Sequence, residues 1–169
     1  MHVPVAIIGC GPSGLLLSHL LHVQGIDSII LERKDRAYVE GRIRAGVLEM
    51  GTVGLMERVG VDARMKREGI IHGGIYISVN GKRQHVNIEE LTGGSTVMIY
   101  GQTEVTKDLI QARLDHGGEI VFEAEDVSLH DIETSRPRVR YVKDGNPVEL
   151  SCDYIAACDG FHGVGRQTM

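Results

Sequence analysis

Val3-Pro4-Val5-Ala6-Ile7-Ile8-Gly9-Cys10-Gly11-Pro12-Ser13-Gly14 stands at the head of the chain, and eighteen residues after Gly14 the apolar run Ser28-Ile29-Ile30-Leu31 is closed by Glu32. The order is buried strand, glycine turn, helix start, second strand, carboxylate. Parts in that order hold an adenine dinucleotide. Gly9 permits a tight turn out of the strand, Gly11 leaves the backbone open to a pyrophosphate, and Gly14 lets the helix pack closely on the sheet. The first N–H groups of that helix and the positive end of its dipole face the phosphates. Glu32 is placed to accept hydrogen bonds from a ribose diol.

From this core the reading extends outward. A helix is predicted over Ser13–Val23, with Leu16, Leu17, Leu20 and Leu21 at helical spacing and Gly25 as its C-terminal cap. Arg33–Met50 has no clear period and is expected to be a loop with a short helix committed to a site. Helical turns are expected over Val53–Val59 and Ala63–Arg67. Ile71–Val79 and Arg83–Ile88 flank Asn80-Gly81, a hairpin signal, and Val97–Tyr100 is expected to add a strand to that sheet. Thr103–His116 has Val105, Leu109 and Ala112 spaced to face inward. Strands are predicted at Glu119–Phe122, Asp126–Leu129, Arg138–Val142, Val148–Leu150 and Tyr154–Cys158, with Asp144-Gly145 as a turn. The fold class expected is α/β, with an antiparallel excursion that a plain parallel nucleotide domain would lack.

With 169 residues, 42% of them hydrophobic and 24% charged, the chain can bury a sizeable core, roughly 70% of its unfolded surface. A net charge of −5 gives no reason to expect nucleic acid or an anionic membrane as partner. No apolar run approaches the ~20 residues of a membrane span, and the N-terminal stretch lacks the basic leader of a signal peptide. Cys152 and Cys158, about 20 Å apart along one strand, cannot bridge. Three reduced thiols in a cytoplasmic protein are expected. His19 and His22 share a helical face without a third ligand, so a metal site is not expected. Gly81-Lys82-Arg83 lacks the rest of a P-loop, and no Gly-x-Ser-x-Gly elbow supports hydrolase chemistry.

A second signature follows the last apolar strand, in Asp159-Gly160-Phe161-His162-Gly163-Val164-Gly165-Arg166. The carboxyl end of a strand is where an open α/β sheet presents its ligand. Together with Gly41-Arg42-Ile43-Arg44-Ala45-Gly46-Val47-Leu48-Glu49, Tyr100-Gly101-Gln102-Thr103-Glu104-Val105-Thr106 and Cys152–Gly163, the glycine fingerprint closely resembles the 4-hydroxybenzoate 3-monooxygenase family of flavoprotein aromatic hydroxylases. The match runs from Val5 to Gln167. It implies a Rossmann-like FAD-binding domain over residues 1–169, with 71–100 beginning the sheet of a substrate domain.

The resemblance implies a role for each matching residue. Arg42 and Arg44 would pair with the FAD pyrophosphate, which suits guanidinium forks. Val47 would lie beside the flavin, Gln102 would hydrogen-bond the cofactor, and Ser13 would reach a phosphate. Ile43, Ala45, Gly46 and Asp159 belong to the same cofactor set. Arg33, Tyr38, Arg44 and His162 match positions tied to NADPH. His72 would end a proton path from the substrate phenol to solvent, a task suited to an imidazole with an ordinary pKa of about 6.5. The reaction implied uses NADPH and O2 to convert 4-hydroxybenzoate to 3,4-dihydroxybenzoate in a homodimeric parent protein.

Several departures from the family stand out. In full-length members the larger part of the sequence follows the point matched by Met169, including the residues that hold the substrate, so a fragment is expected. Gly165 stands where many relatives have serine, and Lys34 lies in the segment that selects the nicotinamide cofactor. Two further readings remain beside the hydroxylase: an FAD- or nucleotide-binding module without activity, and a related hydroxylase acting on 3-hydroxybenzoate or salicylate. An NAD-dependent dehydrogenase would leave Gly41–Glu49 and Asp159-Gly160 without a role.

Overall fold

The computed structural model describes residues 1–168. The elements in chain order are β1 (His2–Ile8), α1 (Pro12–Val23), β2 (Ser28–Leu31), α2 (Arg36–Gly41), β3 (Val47–Glu49), α3 (Met50–Arg58), α4 (Ala63–Glu68) and β4 (Ile70–His72). They continue with β5 (Gly74–Val79), β6 (Lys82–Asn87), α5 (Ile88–Thr92), β7 (Val97–Ile99), α6 (Gln102–Asp115), β8 (Glu119–Val121), β9 (Glu125–His130), β10 (Arg138–Lys143), β11 (Asn146–Ala157) and α7 (Val164–Thr168). The chain divides into two compact units, Met1–Arg42 with Thr106–Met169, and Ile43–Val105.

The first unit is built on a six-stranded sheet in the order β8-β2-β1-β11-β10-β9. β1 lies parallel to both β2 and β11, and β2 lies parallel to β8. β10 runs antiparallel to β11 and β9. The inner strands are close to continuously apolar, as parallel strands covered on both faces must be. Every residue of β2 is buried, as are Val5, Ala6, Ile7 and Ile8 of β1. Val3, Ala6, Ile8, Ile29, Leu31, Val139, Tyr141, Leu150 and Cys152 form one packed cluster.

Two sequence expectations change here. Val148–Leu150 and Tyr154–Cys158 are parts of one twelve-residue strand, because Ser151, Cys152 and Asp153 carry the pairing from β10 on one side to β1 on the other. On α1 the buried face is Gly14, Leu15, Ser18 and His19, while Leu16, Leu17, Leu20 and Leu21 are only half-buried. At Gly14 the helix sits tight against the strand end, where a Cβ would lie 2.1 Å from the Gly9 carbonyl oxygen.

The second unit holds a three-stranded sheet in the order β3-β7-β4 and the separate hairpin β5-β6. Asn80 and Gly81 have φ of 49° and 74°, both positive as a two-residue type I′ turn requires. The expected single strand Ile71–Val79 is broken at Gly73. There the Gly73 carbonyl accepts from the Glu89 N–H at 2.8 Å, and the Glu89 carboxylate fills the space a side chain would need. Ile70–His72 therefore pairs with β7, which joins β3 and β4 rather than the hairpin. Val47–Glu49, expected within a loop, is the third strand of that sheet. Val53, Met56, Met65, Met98 and Tyr100 are buried in this unit.

Candidate functional site

β1, β2 and β11 carry the chain to one end of the first sheet, where the glycine turn lies. Gly9 has φ +104°, and a side chain on it would collide with the Cys158 carbonyl, 2.6 Å from where its Cβ would stand. The Gly9 N–H donates to the Leu31 carbonyl and the Cys158 N–H to the Ile8 carbonyl, each at 2.8 Å. Gly11 is different. Its φ is −80°, ordinary for any residue, and nothing lies within 4 Å of where its Cβ would be. It leaves an open cradle at the head of α1. No side chain caps α1, so its first N–H groups face that cradle unclaimed, with Ser13 exposed beside them.

Glu32 is held from both sides. One carboxylate oxygen accepts from the Cys10 N–H at 3.0 Å, the other from the Lys34 N–H at 2.9 Å. A carboxylate has about four acceptor directions, so capacity remains for a diol. The Cys10 backbone contact is a part of the site that sequence reading missed, since a main-chain donor leaves no mark in the residue pattern. The buried Cys10 thiol is pushed up to about 12 by burial, with Glu32 and Glu40 adding to it and Arg36 opposing. It stays protonated and serves as filling. Cys10, Cys152 and Cys158 are all free thiols.

Asp159 follows β11 beside the turn. The Cβ of a residue at position 9 would lie 3.0 Å from its Cα. One of its carboxylate oxygens accepts from the Gly165 N–H at 3.0 Å, and the carboxylate occupies the space a side chain on Gly163 would take. His162 is exposed and lies edge-on to Phe161 at 5.0 Å, with the Arg166 guanidinium 4.0 Å from the Phe161 ring centre. On α2, Asp35 accepts from the Tyr38 N–H at 2.7 Å, and the Lys34 ammonium lies 5.4 Å from the centre of the half-exposed Tyr38 ring. Arg33 and Arg42 are exposed.

In the second unit the structure brings two of the singled-out stretches together. The Tyr100 N–H donates to the Gly46 carbonyl at 2.9 Å, and the Gln102 N–H to the Ala45 carbonyl at 3.3 Å. Val47 pairs with Ile99. Gln102, the first residue of α6, is thereby fixed against Ala45-Gly46-Val47. Arg44 and Ile43 project into solvent, Ile43 at 87% exposure. His72 is exposed on β4, paired through its backbone with Val97, and meets none of the other singled-out residues.

Within the first unit the groups fit a dinucleotide: an open glycine cradle, an uncapped helix head, an anchored carboxylate and the exposed guanidinium groups of Arg33 and Arg42. Residues 2–169 match the family described as FAD binding domain. The chain belongs to that family. FAD is accordingly its cofactor. It is 47% identical over all 169 residues to a p-hydroxybenzoate hydroxylase of Acinetobacter baylyi, covering 42% of that protein. It is 27% identical over 166 residues, 96% of its length, to Monooxygenase 1 of Arabidopsis thaliana, covering 39% of that protein. The chain thus spans about two fifths of the length of these curated relatives. Its fold is shared with a p-nitrophenol 4-monooxygenase of Pseudomonas putida, with a TM-score of 0.81 at 19% identity over 98% of this chain and 43% of that one. Among the described residues no helix is long and apolar enough to cross a membrane, and no group of three or more His, Cys, Asp or Glu could hold a metal.

Proposed function

We propose that the chain is the FAD-binding N-terminal part of a flavoprotein monooxygenase that hydroxylates 4-hydroxybenzoate to 3,4-dihydroxybenzoate with NADPH and O2. The observation that carries this reading is the 47% identity to a p-hydroxybenzoate hydroxylase along the whole chain. Bound FAD supplies the redox chemistry, accepting electrons from the nicotinamide and activating oxygen. The chain's own residues bind, orient and exclude water. The N–H groups at the head of α1, with Ser13, face the pyrophosphate across the Gly11 cradle, and Arg42 and Arg44 neutralise its charge. Glu32, already oriented by two backbone donors, takes the ribose diol. Asp159 and Gln102 add hydrogen bonds, and Ile43 to Val47 line the flavin. Arg33, Tyr38, Arg44 and His162 receive NADPH, and His72 passes the phenol proton to solvent.

The test is a visible absorption spectrum of the purified chain with and without FAD, alongside Arg44→Ala. A flavin band that the substitution weakens supports the site, whereas a protein that never takes up FAD overturns the cofactor assignment. A second reading is an FAD-binding module without turnover of its own. NADPH oxidation stimulated by 4-hydroxybenzoate separates the two.

A further inference from the structure

Five polar side chains are buried among the described residues: Ser18, His19, Ser28, Thr106 and Arg113. Four of them belong to one seam between α1, the start of β2 and the second half of α6. The Arg113 Nε–H donates to Ser18 Oγ at 2.8 Å, a second guanidinium N–H donates to the Ser28 carbonyl at 3.3 Å, and the two serine hydroxyls are 2.8 Å apart. His19, 1% exposed, places Nε2 2.8 Å from the Leu109 carbonyl oxygen. A carbonyl only accepts, so Nε2 carries the proton and Nδ1 is the atom left to titrate.

Two more imidazoles stand at the mouth of this seam. His116, just beyond α6, lies edge-on to His19 at 6.3 Å and stacks on His22 of α1 at 5.2 Å with an interplanar angle of 21°. The groups facing His19 are thus His22 from its own helix, Arg113 and the Leu109 carbonyl from α6, and His116 from the following turn. None is a carboxylate. Asp27 is the acid whose charge reaches Arg113.

We propose that this contact is a proton-operated latch: charging His19 in the company of His22, His116 and Arg113 loosens α1 from α6 in mild acid and frees the helix whose head carries Gly11 and Ser13. Burial is the main influence holding the His19 imidazole below its ordinary range. The Leu109 carbonyl opposes burial, and Arg113, His116 and His22 reinforce it. The sign follows from that depression. His19 takes a proton more readily once α1 opens than while it is closed, so the closed form is fully favoured above about pH 6.5 and loses ground as pH falls below that value.

Amide hydrogen exchange of the full chain between pH 7.5 and 5, expressed as protection factors, tests the latch. Protection in α1 and the second half of α6 should fall by up to about tenfold per pH unit below ~6.5, while β1 and β11 hold theirs. His19→Gln keeps a donor for the Leu109 carbonyl and cannot titrate, so its α1 protection should stay level. A wild-type α1 indifferent to pH, an equal fall in the variant, or a parallel fall in β1 and β11 overturns the proposal. Should His19→Gln not fold, the exposed His116→Gln carries the test. Removing a neighbour that holds His19 down should make the total fall in protection smaller, and an undiminished fall overturns the latch.

Discussion

Gly11 and Gly14 lie three residues apart, and their environments predict opposite consequences for the same change. A methyl group at Gly14 would meet the Gly9 carbonyl oxygen at 2.1 Å, backbone against backbone, with the Ile7 side chain 3.1 Å away. Gly14→Ala should therefore cost about 3 kcal/mol, read as a lower urea midpoint. Gly11→Ala adds a methyl to open space at an ordinary φ, so its urea midpoint should move by less than about 1 kcal/mol while FAD affinity falls. Equal stability losses would show that Gly11 is a packing glycine. The places of both glycines in the turn and of Glu32 at the strand end, and the tight packing at Gly14, were legible in the sequence because they follow from neighbours within one turn or one strand end. The latching of Glu32 by the Cys10 N–H was not, since it joins a backbone group to a carboxylate 22 positions away. His72 was legible only as a residue type, and the structure places it exposed on β4, where the backbone pairs it with Val97.

Elements bear this out at the next scale. The two Asx-Gly turns, Asn80-Gly81 and Asp144-Gly145, could be read directly because positive φ at both central positions selects those residues. The break at Gly73 could not, since β-type alternation continues through it and only the docking of α5 interrupts the strand. The partners of Val97–Ile99 were equally hidden, being set by pairing across 25 residues or more rather than by local pattern. The close approach of α7 to β11 yields a sharper prediction. A Cβ on Gly165 would lie 2.2 Å from the Ala157 methyl. Gly165→Ser should destabilise this chain by about 1–3 kcal/mol, and Ala157→Gly in the same molecule should restore most of the loss. Additive urea midpoints in that double-mutant cycle would mean the contact relaxes by another route.

For the molecule as a whole, the apolar surface in the second unit matters most. Ile71 and Val79 are each 61% exposed, and Ile75 and Ile77, on one face of the hairpin, 45% each. A two-stranded sheet with two open edges and a bare apolar face invites pairing with another copy. Sedimentation velocity should show concentration-dependent self-association of this chain, reduced by Ile75→Lys with Ile77→Lys; a monomer at all concentrations would contradict this. The central pairing of the first sheet has a consequence of another kind. β1 lies between β2 and β11, and its partner residues in β11 are numbered 151–157. Synthesis at about 5–20 residues per second leaves β1 without that neighbour for on the order of 10–30 s. Until then Gly9 has β2, through the Leu31 carbonyl, but lacks the Cys158 backbone it turns against. The first sequence feature to leave the ribosome is therefore among the last to take its shape, and a chaperone that shields Val3–Ile8 during that interval would govern the yield of folded protein.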